Sequence, residues 1–415
     1  YQKHMKQLLL EALEDIKPSK EYEEDILGKA NNIIDKINKG IKDAKAILGG
    51  SGAKGTWLKT FDADIFVKFN YSKFKDKSDK LSSILETFLK QYFKITRLHG
   101  SRDYFQIKQG KFTFEIVPIL DIKKAPQAKN ITDVSPLHSD FVLKHKKLID
   151  DMRLTKQFFK AANVYGAESY IHGFSGYVCE ILTINYGSFL KLVKEIPKWK
   201  ERTVIDFKGY YKGKNVFTEI NKSKLTSPLI IIDPVQKDRN AAAALSYEKF
   251  DMLRKRAKEF LKNPSKKFFE VEVFTEQDIK SHEKNLIILK TTPLKRKKDV
   301  AGAKMLKAFN SIERSLADNG FEVIKSNMIW SKKNEALFSY KLKDTKLSET
   351  IELSGPPLKV KYHVPLFKKA HKKTFTKNNR IFAIEKRKFT NVKDLIKKII
   401  KTPNIKDNIN NIRMV

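Results

Sequence analysis

Apolar residues in the early part of this chain recur at helical spacing. An amphipathic helix is expected over residues 3–15, ended by Pro18. Ser19 can cap a second helix, with Glu21, Glu23 and Glu24 in its first turn, where they favour the helix dipole. Tyr22, Ile26, Ile33, Ile34, Ile37 and Ile41 keep the period, and Gly40 falls near its end. The spacing then changes to two. A short strand, Ala44–Leu48, runs into Gly49-Gly50-Ser51, and Phe61, Ala63, Ile65, Val67 and Phe69 form an apolar row on one face of the next strand. Leu81, Ile84, Leu85, Phe88 and Leu89 mark another amphipathic helix. Residues 104–108 and 112–120 read as a hairpin around Gln109-Gly110.

From His138 to about Ser246 the pattern is mainly helical. An apolar run at 229–232 before Asp233-Pro234-Val235 reads as the end of a buried strand, and Arg239-Asn240 as the cap of an alanine-rich helix at 241–245. From Asn285 the expected order is β, α, β, β, β, α, β, with strands at 286–289, 321–328, 336–342, 350–353 and 381–386 and helices at 305–316 and 358–369. The fold class is therefore α+β. A head of mixed sheet and helices spans 1–137 and a helical domain 138–280. A basic α+β body of ferredoxin/RRM-like type, with a short tail, spans 281–415.

Composition narrows the partners. The apolar share, 41%, is that of a globular protein. No apolar run approaches the roughly 20 residues that span a bilayer, and the opening helix is polar and amphipathic, unlike a signal peptide. A few residues upstream of Tyr1 are expected to be missing. The single cysteine, Cys179, excludes an internal disulfide framework and fits a reducing cytoplasm. Lys and Arg number 84 against 48 Asp and Glu, a net charge of +36. From Ser281 onward they number 32 against 12. Such an excess suits an extended polyanion, most simply nucleic acid, although a solvated lysine-rich surface has the same composition.

The candidate chemistry lies in the first third. Asp62 and Asp64 share the strand face opposite the apolar row, because Ala63 between them points the other way. Two carboxylates so placed can hold a pair of divalent cations that clamp the attacking and leaving oxygens of a phosphoryl transfer. Gly49 and Gly50 let backbone approach a triphosphate, and the amides after Ser51 can bind its oxygens. A third acid, Glu115, stands among apolar strand neighbours in Phe114-Glu115-Ile116-Val117-Pro118. Alone it would pass for a solvent-facing residue; on a strand beside Asp62 and Asp64 it reads as a further ligand.

Together these residues resemble the archaeal-type (class I) CCA-adding enzymes, tRNA nucleotidyltransferases of the polymerase-β-like superfamily. The resemblance rests on the run from Gly49 to Leu58, on Asp62-Ala63-Asp64, and on Val164-Tyr165-Gly166-Ala167-Glu168. It continues in Gly173-Phe174-Ser175-Gly176-Tyr177-Val178-Cys179-Glu180, which is far more specific than the acidic core. Asn185-Tyr186-Gly187-Ser188-Phe189, Asp233-Pro234-Val235 with Arg239-Asn240, Gly355-Pro356-Pro357 and Arg387-Lys388-Phe389-Thr390 add to it. It implies template-independent addition of C, C and A to the 3′ end of tRNA from CTP and ATP, with Mg²⁺, two ions, as cofactor. The implied metal ligands and catalytic residues are Asp62, Asp64 and Glu115, and the implied nucleotide contacts are Gly50, Ser51, Lys54, His138, Lys156, Tyr165 and Arg239. The implied partner is the tRNA acceptor end and minihelix, with no membrane and with room for a homodimer, in the cytoplasm.

Two departures are visible. The third carboxylate is more usually Asp in that family, so Glu115 implies a slightly shifted backbone or metal. Beyond Arg387-Lys388-Phe389 the expectation is a Lys-rich helix at 392–401 and a polar end, where the family tail continues further. Each site residue also has a plainer reading: Ser51 as a turn residue, Lys54 as a surface lysine, His138 as a structural histidine, Tyr165 as packing, and Arg239 as an ion-pair partner of Asp233. Lys295, Lys297, Lys298, Lys359, Lys361, Lys368, Lys369, Lys372 and Lys373 are expected to form a phosphate-facing surface. The rival activities are a poly(A)-polymerase-like or oligoadenylate-type transferase and a catalytically silent RNA-binding module.

Overall fold

Serine at the helix entry and alternation in the strands decide the architecture of the head. In the computed structural model, which describes residues 2–59, 63–271, 285–296, 298–330 and 335–415, the first helix is α1 (Gln2–Ile16). The Ser19 hydroxyl accepts from Tyr22 N–H to cap α2 (Lys20–Gly40). Then follow β1 (Ala44–Leu48), the short α3 (Gly50–Lys54), β2 (Ala63–Phe69), α4 (Leu81–Leu89), β3 (Ile95–Leu98), β4 (Tyr104–Gln109) and β5 (Phe112–Leu120). The sheet order is β1-β2-β5-β4-β3, with β2 and β5 parallel and the other neighbours antiparallel. One sheet face is dry: Ala63, Ile65, Val67, Phe69, Phe105, Ile107, Phe114 and Ile116 pack against Ile26, Ile33 and Ile37 of α2 and Leu81, Leu85 and Leu89 of α4. The other face carries Asp64 and Glu115.

A second core follows, built on α5 (Ser135–Leu143), α6 (Ile149–Ala161), α7 (Gly176–Tyr186), α8 (Phe189–Glu195) and α9 (Tyr247–Lys262). Met5, Leu8, Ala12 and Leu13 of α1 are buried in this core. The expected strand at 229–232 is β7 (Leu229–Ile231), paired in parallel with β6 (Thr203–Ile205). The alanine-rich helix expected at 241–245 is absent. Asn240 Oδ1 accepts from both Ile231 and Ala242 N–H, its amide donates to Lys224 O and Ser227 Oγ, and the chain turns instead. Head and helical core belong to one compact unit, Tyr1–Glu272; Val273–Val415 form another.

The second unit has a ferredoxin-like core: β8 (Leu286–Thr292), α10 (Lys298–Asp318), β9 (Val323–Trp330), β10 (Ala336–Leu342), α12 (Val392–Ile399) and β14 (Asn411–Met414). Its sheet runs β14-β8-β10-β9, all antiparallel, under Met305, Phe309 and Ile312 of α10 and Leu395 and Ile396 of α12. Between β10 and α12 lies an insert. It holds β11 (Thr350–Pro357), α11 (His363–Ala370), β12 (Thr374–Lys377) and β13 (Arg380–Lys386) as a separate sheet, β11-β13-β12. The sequence pattern located most of these elements but put them in one alternation. The helix completing the core is α12, and the polar end is the edge strand β14, whose Ile412 and Met414 pack on the core. Among the described residues no helix is long and apolar enough to cross a membrane.

Candidate functional site

The acidic strand and the glycine turn are one piece of structure. Gly49 N–H donates to Asp64 O at 2.7 Å, carrying the β1–β2 ladder into the turn. Gly50 has φ of +54°, and a Cβ there would overlap the Asp64 carboxylate, so only glycine brings the turn this close. A single helical turn follows to Lys54, closed by Gly55 at φ +68°. Ser51 lies half-buried near its start. Asp64 and Glu115 are register partners on the parallel pair β2–β5, both half-buried on the same face. That pair runs through seven consecutive partners, from Ala63↔Phe114 to Phe69↔Leu120, without a bulge at Glu115. The Glu115 carboxylate accepts from Gln106 Nε2 at 3.0 Å. Asp62 lies outside the described residues, among which no three His, Cys, Asp or Glu side chains gather as a metal-binding group.

At the other end of the turn Lys54 enters a buried ion cluster. Its Nζ is 2.7 Å from Glu180 Oε2; Lys156 Nζ on α6 is 2.6 Å from Oε1; and Thr56 Oγ1 donates to the same oxygen at 2.6 Å. Lys156 also donates to Thr56 Oγ1 at 2.8 Å. Glu180 is fully buried, which would raise its pKa, but the ammonium groups of Lys156 and Lys54 hold it down to about 2. Burial pulls Lys156 down in turn, opposed by Glu180. Tyr165 joins from above: its hydroxyl lies 2.7 Å from where a Cβ on Gly176 would stand, and Lys156 Cε 3.6 Å from the same point. Glycine at the start of α7 therefore leaves room for the Tyr165 hydroxyl, while Lys156 stands at ordinary contact distance. Burial pushes the Tyr165 hydroxyl and the Cys179 thiol up, so both stay protonated.

His138 and Arg239 meet at Asp233. The His138 ring stacks on Tyr177 with centroids 4.0 Å apart, and its Nε2 lies 3.2 Å from Asp233 Oδ2. Arg239 Nη1 donates to Oδ2 at 2.6 Å, while Tyr177 hydroxyl and Val235 N–H donate to Oδ1 at 3.1 and 2.8 Å. Burial raises the Asp233 pKa, but His138, the Val235 amide and Arg239 outweigh it and bring it to about 2. Burial, reinforced by Arg239 and Lys54, lowers His138 despite Asp233. Beside this group opens a cleft of about 1010 Å³, lined by Lys129, Ser175, Tyr210, Gln236 and Arg239 among others. Of the residues picked from sequence, Arg239 faces this cleft; Asp64 and Glu115 do not line it.

The structure thus gathers Gly50, Ser51, Asp64 and Glu115 at one end of α3, and Lys54, Lys156 and Tyr165 at the other. His138 and Arg239 form a third group. Glu180, Thr56, Tyr177, Asp233 and Gln106 carry much of the bonding yet were not among the site residues picked from sequence, although Asp233 was named there as the plainer ion-pair partner of Arg239. Glu180 had a legible signal, a charge between Cys179 and Ile181-Leu182 that must be paired once buried. Gln106 had none beyond its polar place in an alternating strand.

This chain matches a family model described as tRNA nucleotidyltransferase, second domain, over residues 150–270, and one described as CCA-adding enzyme, C-terminal domain, over 288–412. Residues 4–135 match the Second Messenger Oligonucleotide or Dinucleotide Synthetase domain. A CCA-adding enzyme of Nanoarchaeum equitans is 35% identical over 381 residues, covering 91% of this chain and 93% of the relative. One of Methanocaldococcus jannaschii is 31% identical over 415 residues, covering 95% and 91%. Among solved structures, a Cid1 poly(U) polymerase covers 66% of this chain and 100% of its own at 14% identity with a TM-score of 0.53, a likeness of fold.

Proposed function

The chain belongs to the archaeal CCA-adding enzyme family, and on that premise we propose that it adds C, C and A to the 3′ end of tRNA. It draws them from CTP and ATP, releases pyrophosphate and uses no nucleic-acid template. The observation that carries the reading at the level of chemistry is the in-register pair Asp64 and Glu115, set on one sheet face against the Gly50 turn.

The nucleotidyltransferase superfamily generally uses divalent metal ions. The residues here fit them: two carboxylates on adjacent strands, about 4.8 Å apart at the backbone, offer the hard oxygen donors Mg²⁺ prefers. The turn packs so closely on one of them that a Cβ would intrude. We assign Asp62, Asp64 and Glu115 as the ligands of two Mg²⁺ ions. Held by these carboxylates, such ions would lower the pKa of the tRNA 3′ hydroxyl and offset charge on the α-phosphate and leaving group. The protein's own part is positioning. Gly50, Ser51 and the following amides hold triphosphate oxygens at the start of α3. Lys54 and Lys156, both ion-paired with Glu180, supply positive potential beneath it, and Tyr165 closes that side. His138, stacked on Tyr177, and the Arg239 fork line the base side, with C or A selected jointly with the tRNA end. A carboxylate of the set can take the hydroxyl proton. In domain terms we read 1–137 as the catalytic head, 138–280 as the nucleotide and tRNA-end domain, and 281–415 as the body that grips the acceptor minihelix, in the cytoplasm.

Incubating the protein with CTP, ATP and Mg²⁺ and tRNAs lacking A, CA or CCA tests this directly. Each is expected to be completed and then left alone. Continued adenylation past CCA would favour the poly(A)-polymerase-like reading, and no incorporation at all would restore the silent RNA-binding module. The match of residues 4–135 to an oligonucleotide synthetase domain concerns the head alone; the other two matched domains are the second domain of tRNA nucleotidyltransferases and the C-terminal domain of CCA-adding enzymes.

The basic surface gives a second test. Lys359, Lys361, Lys368, Lys369, Lys372 and Lys373 are all exposed around α11, a helix with no buried residue and with Tyr362 77% exposed at its start. Lys295 and Lys298 are exposed as well, whereas Lys297 lies outside the described residues. Changing the six lysines around α11 to Gln is expected to weaken tRNA binding without sequence preference. The slope of log K against log salt should flatten by about 0.7–0.9 for every phosphate the protein no longer neutralises. An unchanged slope would mean that these lysines are merely solvated.

A further inference from the structure

The row of side chains crossing the head sheet at the acidic pair does not end at Glu115. Asp64 on β2 is in register with Glu115 on β5, and Glu115 in turn with Gln106 on β4. The Gln106 side-chain amide donates to Glu115 Oε1 at 3.0 Å. We propose that Gln106 is a positioning residue for the metal-binding carboxylate of Glu115: its amide fixes the orientation of that carboxylate toward Asp64. This rests on the assignment of Glu115 as a ligand made above.

Three features of the sheet support it. A glutamate side chain turns about three bonds, so a strand register alone does not fix where its oxygens lie; a donor on the neighbouring strand does. The place of Gln106 is itself rigid. Phe105 and Ile107 on either side are almost fully buried on the opposite face, so a one-residue slip of β4 would drive both into solvent and Gln106 into the core. The donor is also neutral. An amide removes one lone pair of Oε1 and leaves Oε2, with most of the carboxylate's charge, for a cation. A lysine or arginine there would neutralise the ligand instead. The unbroken β2–β5 register assigns this work to the side chain, because no bulge moves the backbone at Glu115.

The test compares Gln106→Leu, Glu115→Asp and the double variant with the full-length protein. Mn²⁺ binding is followed by electron paramagnetic resonance without substrate, and the Mg²⁺ concentration for half-maximal incorporation is measured at saturating CTP. Gln106→Leu is expected to weaken Mn²⁺ binding and raise the Mg²⁺ requirement about tenfold, with the KM for tRNA and the thermal midpoint unchanged. An aspartate at 115 is one methylene shorter and falls back from the amide. Gln106→Leu should therefore add little in the Glu115→Asp background, giving a non-additive cycle. Wild-type Mn²⁺ binding in Gln106→Leu, or full additivity with Glu115→Asp, overturns the proposal. Glu115→Ala separates the two levels: if that variant binds Mn²⁺ and incorporates CMP normally, the ligand assignment itself fails and takes the role of Gln106 with it. If it is inactive while Gln106→Leu is normal, only the positioning role is lost.

Discussion

Asp64→Ala is expected to stop nucleotide incorporation, lowering kcat/KM by at least about 10³-fold, since metal-assisted charge stabilisation supplies several kcal/mol of the barrier and each 1.36 kcal/mol is tenfold. Asp64→Asn should do nearly the same. It keeps the volume over the Gly50 backbone and removes only the charge, so its loss cannot be laid to a collapsed turn. Both variants should stay folded: Asp64 is half-buried, and the strand beneath it is anchored by Ile65 and Val67, which are fully buried. tRNA affinity should change little, because phosphate contacts from many lysines dominate binding of a polyanion. Single-turnover CMP transfer to a tRNA lacking CCA, beside a filter-binding curve, measures both quantities. Activity within tenfold of wild type would remove Asp64 from the ligand set.

The same region shows how far a sequence carries such a reading. The strand Ala44–Leu48, the cap at Ser19, the apolar row at 63, 65, 67 and 69 and the hairpin at Gly110 are all local, set by period, capping chemistry and turn geometry. Each appears where those rules put it. The partnership of Asp64 with Glu115 was legible at one remove, as an acid that would be costly on a buried strand without a charge or metal beside it. What local pattern could not carry was the sorting of strands into sheets. In the second unit β11 and β13 read as strands just as β10 does, yet they leave its sheet for their own. The alanine-rich run at 241–245 shows the converse failure: helix propensity there is overridden by one buried side chain, Asn240, which satisfies four backbone and hydroxyl groups at once. Long-range ion pairs were the least visible. Lys54 and Lys156 entered the sequence reading only as implied nucleotide contacts, and that a single glutamate holds both is a property of three elements meeting.

That glutamate underlies the largest stability effect expected here. In Glu180→Ala, Lys54 and Lys156 keep their buried ammonium groups, 8% and 3% exposed, and lose the carboxylate that both of them touch. Breaking a buried pair from one side costs roughly 3–5 kcal/mol, and here one substitution strands two cations. Glu180→Gln should be nearly as severe. Its amide can still face Thr56, but it carries no charge. A Lys54→Met, Lys156→Met, Glu180→Met triple variant removes all three charges at similar volume and should recover much of the loss. A cycle without such recovery would mean that Glu180 stabilises by packing alone. The acid response gives an independent readout. Glu180 has its pKa lowered in the folded state from 4.5 to about 2, so the folded protein binds fewer protons there than the unfolded chain. The stabilisation is complete above about pH 4.5 and drains away as the pH falls toward 2. The gap between wild type and Glu180→Gln in denaturant midpoint should accordingly be widest near neutrality and narrow across that window. A gap that stays constant from pH 7 to pH 3, or one worth less than about 1 kcal/mol at pH 7, would show that the cluster is not held together by charge.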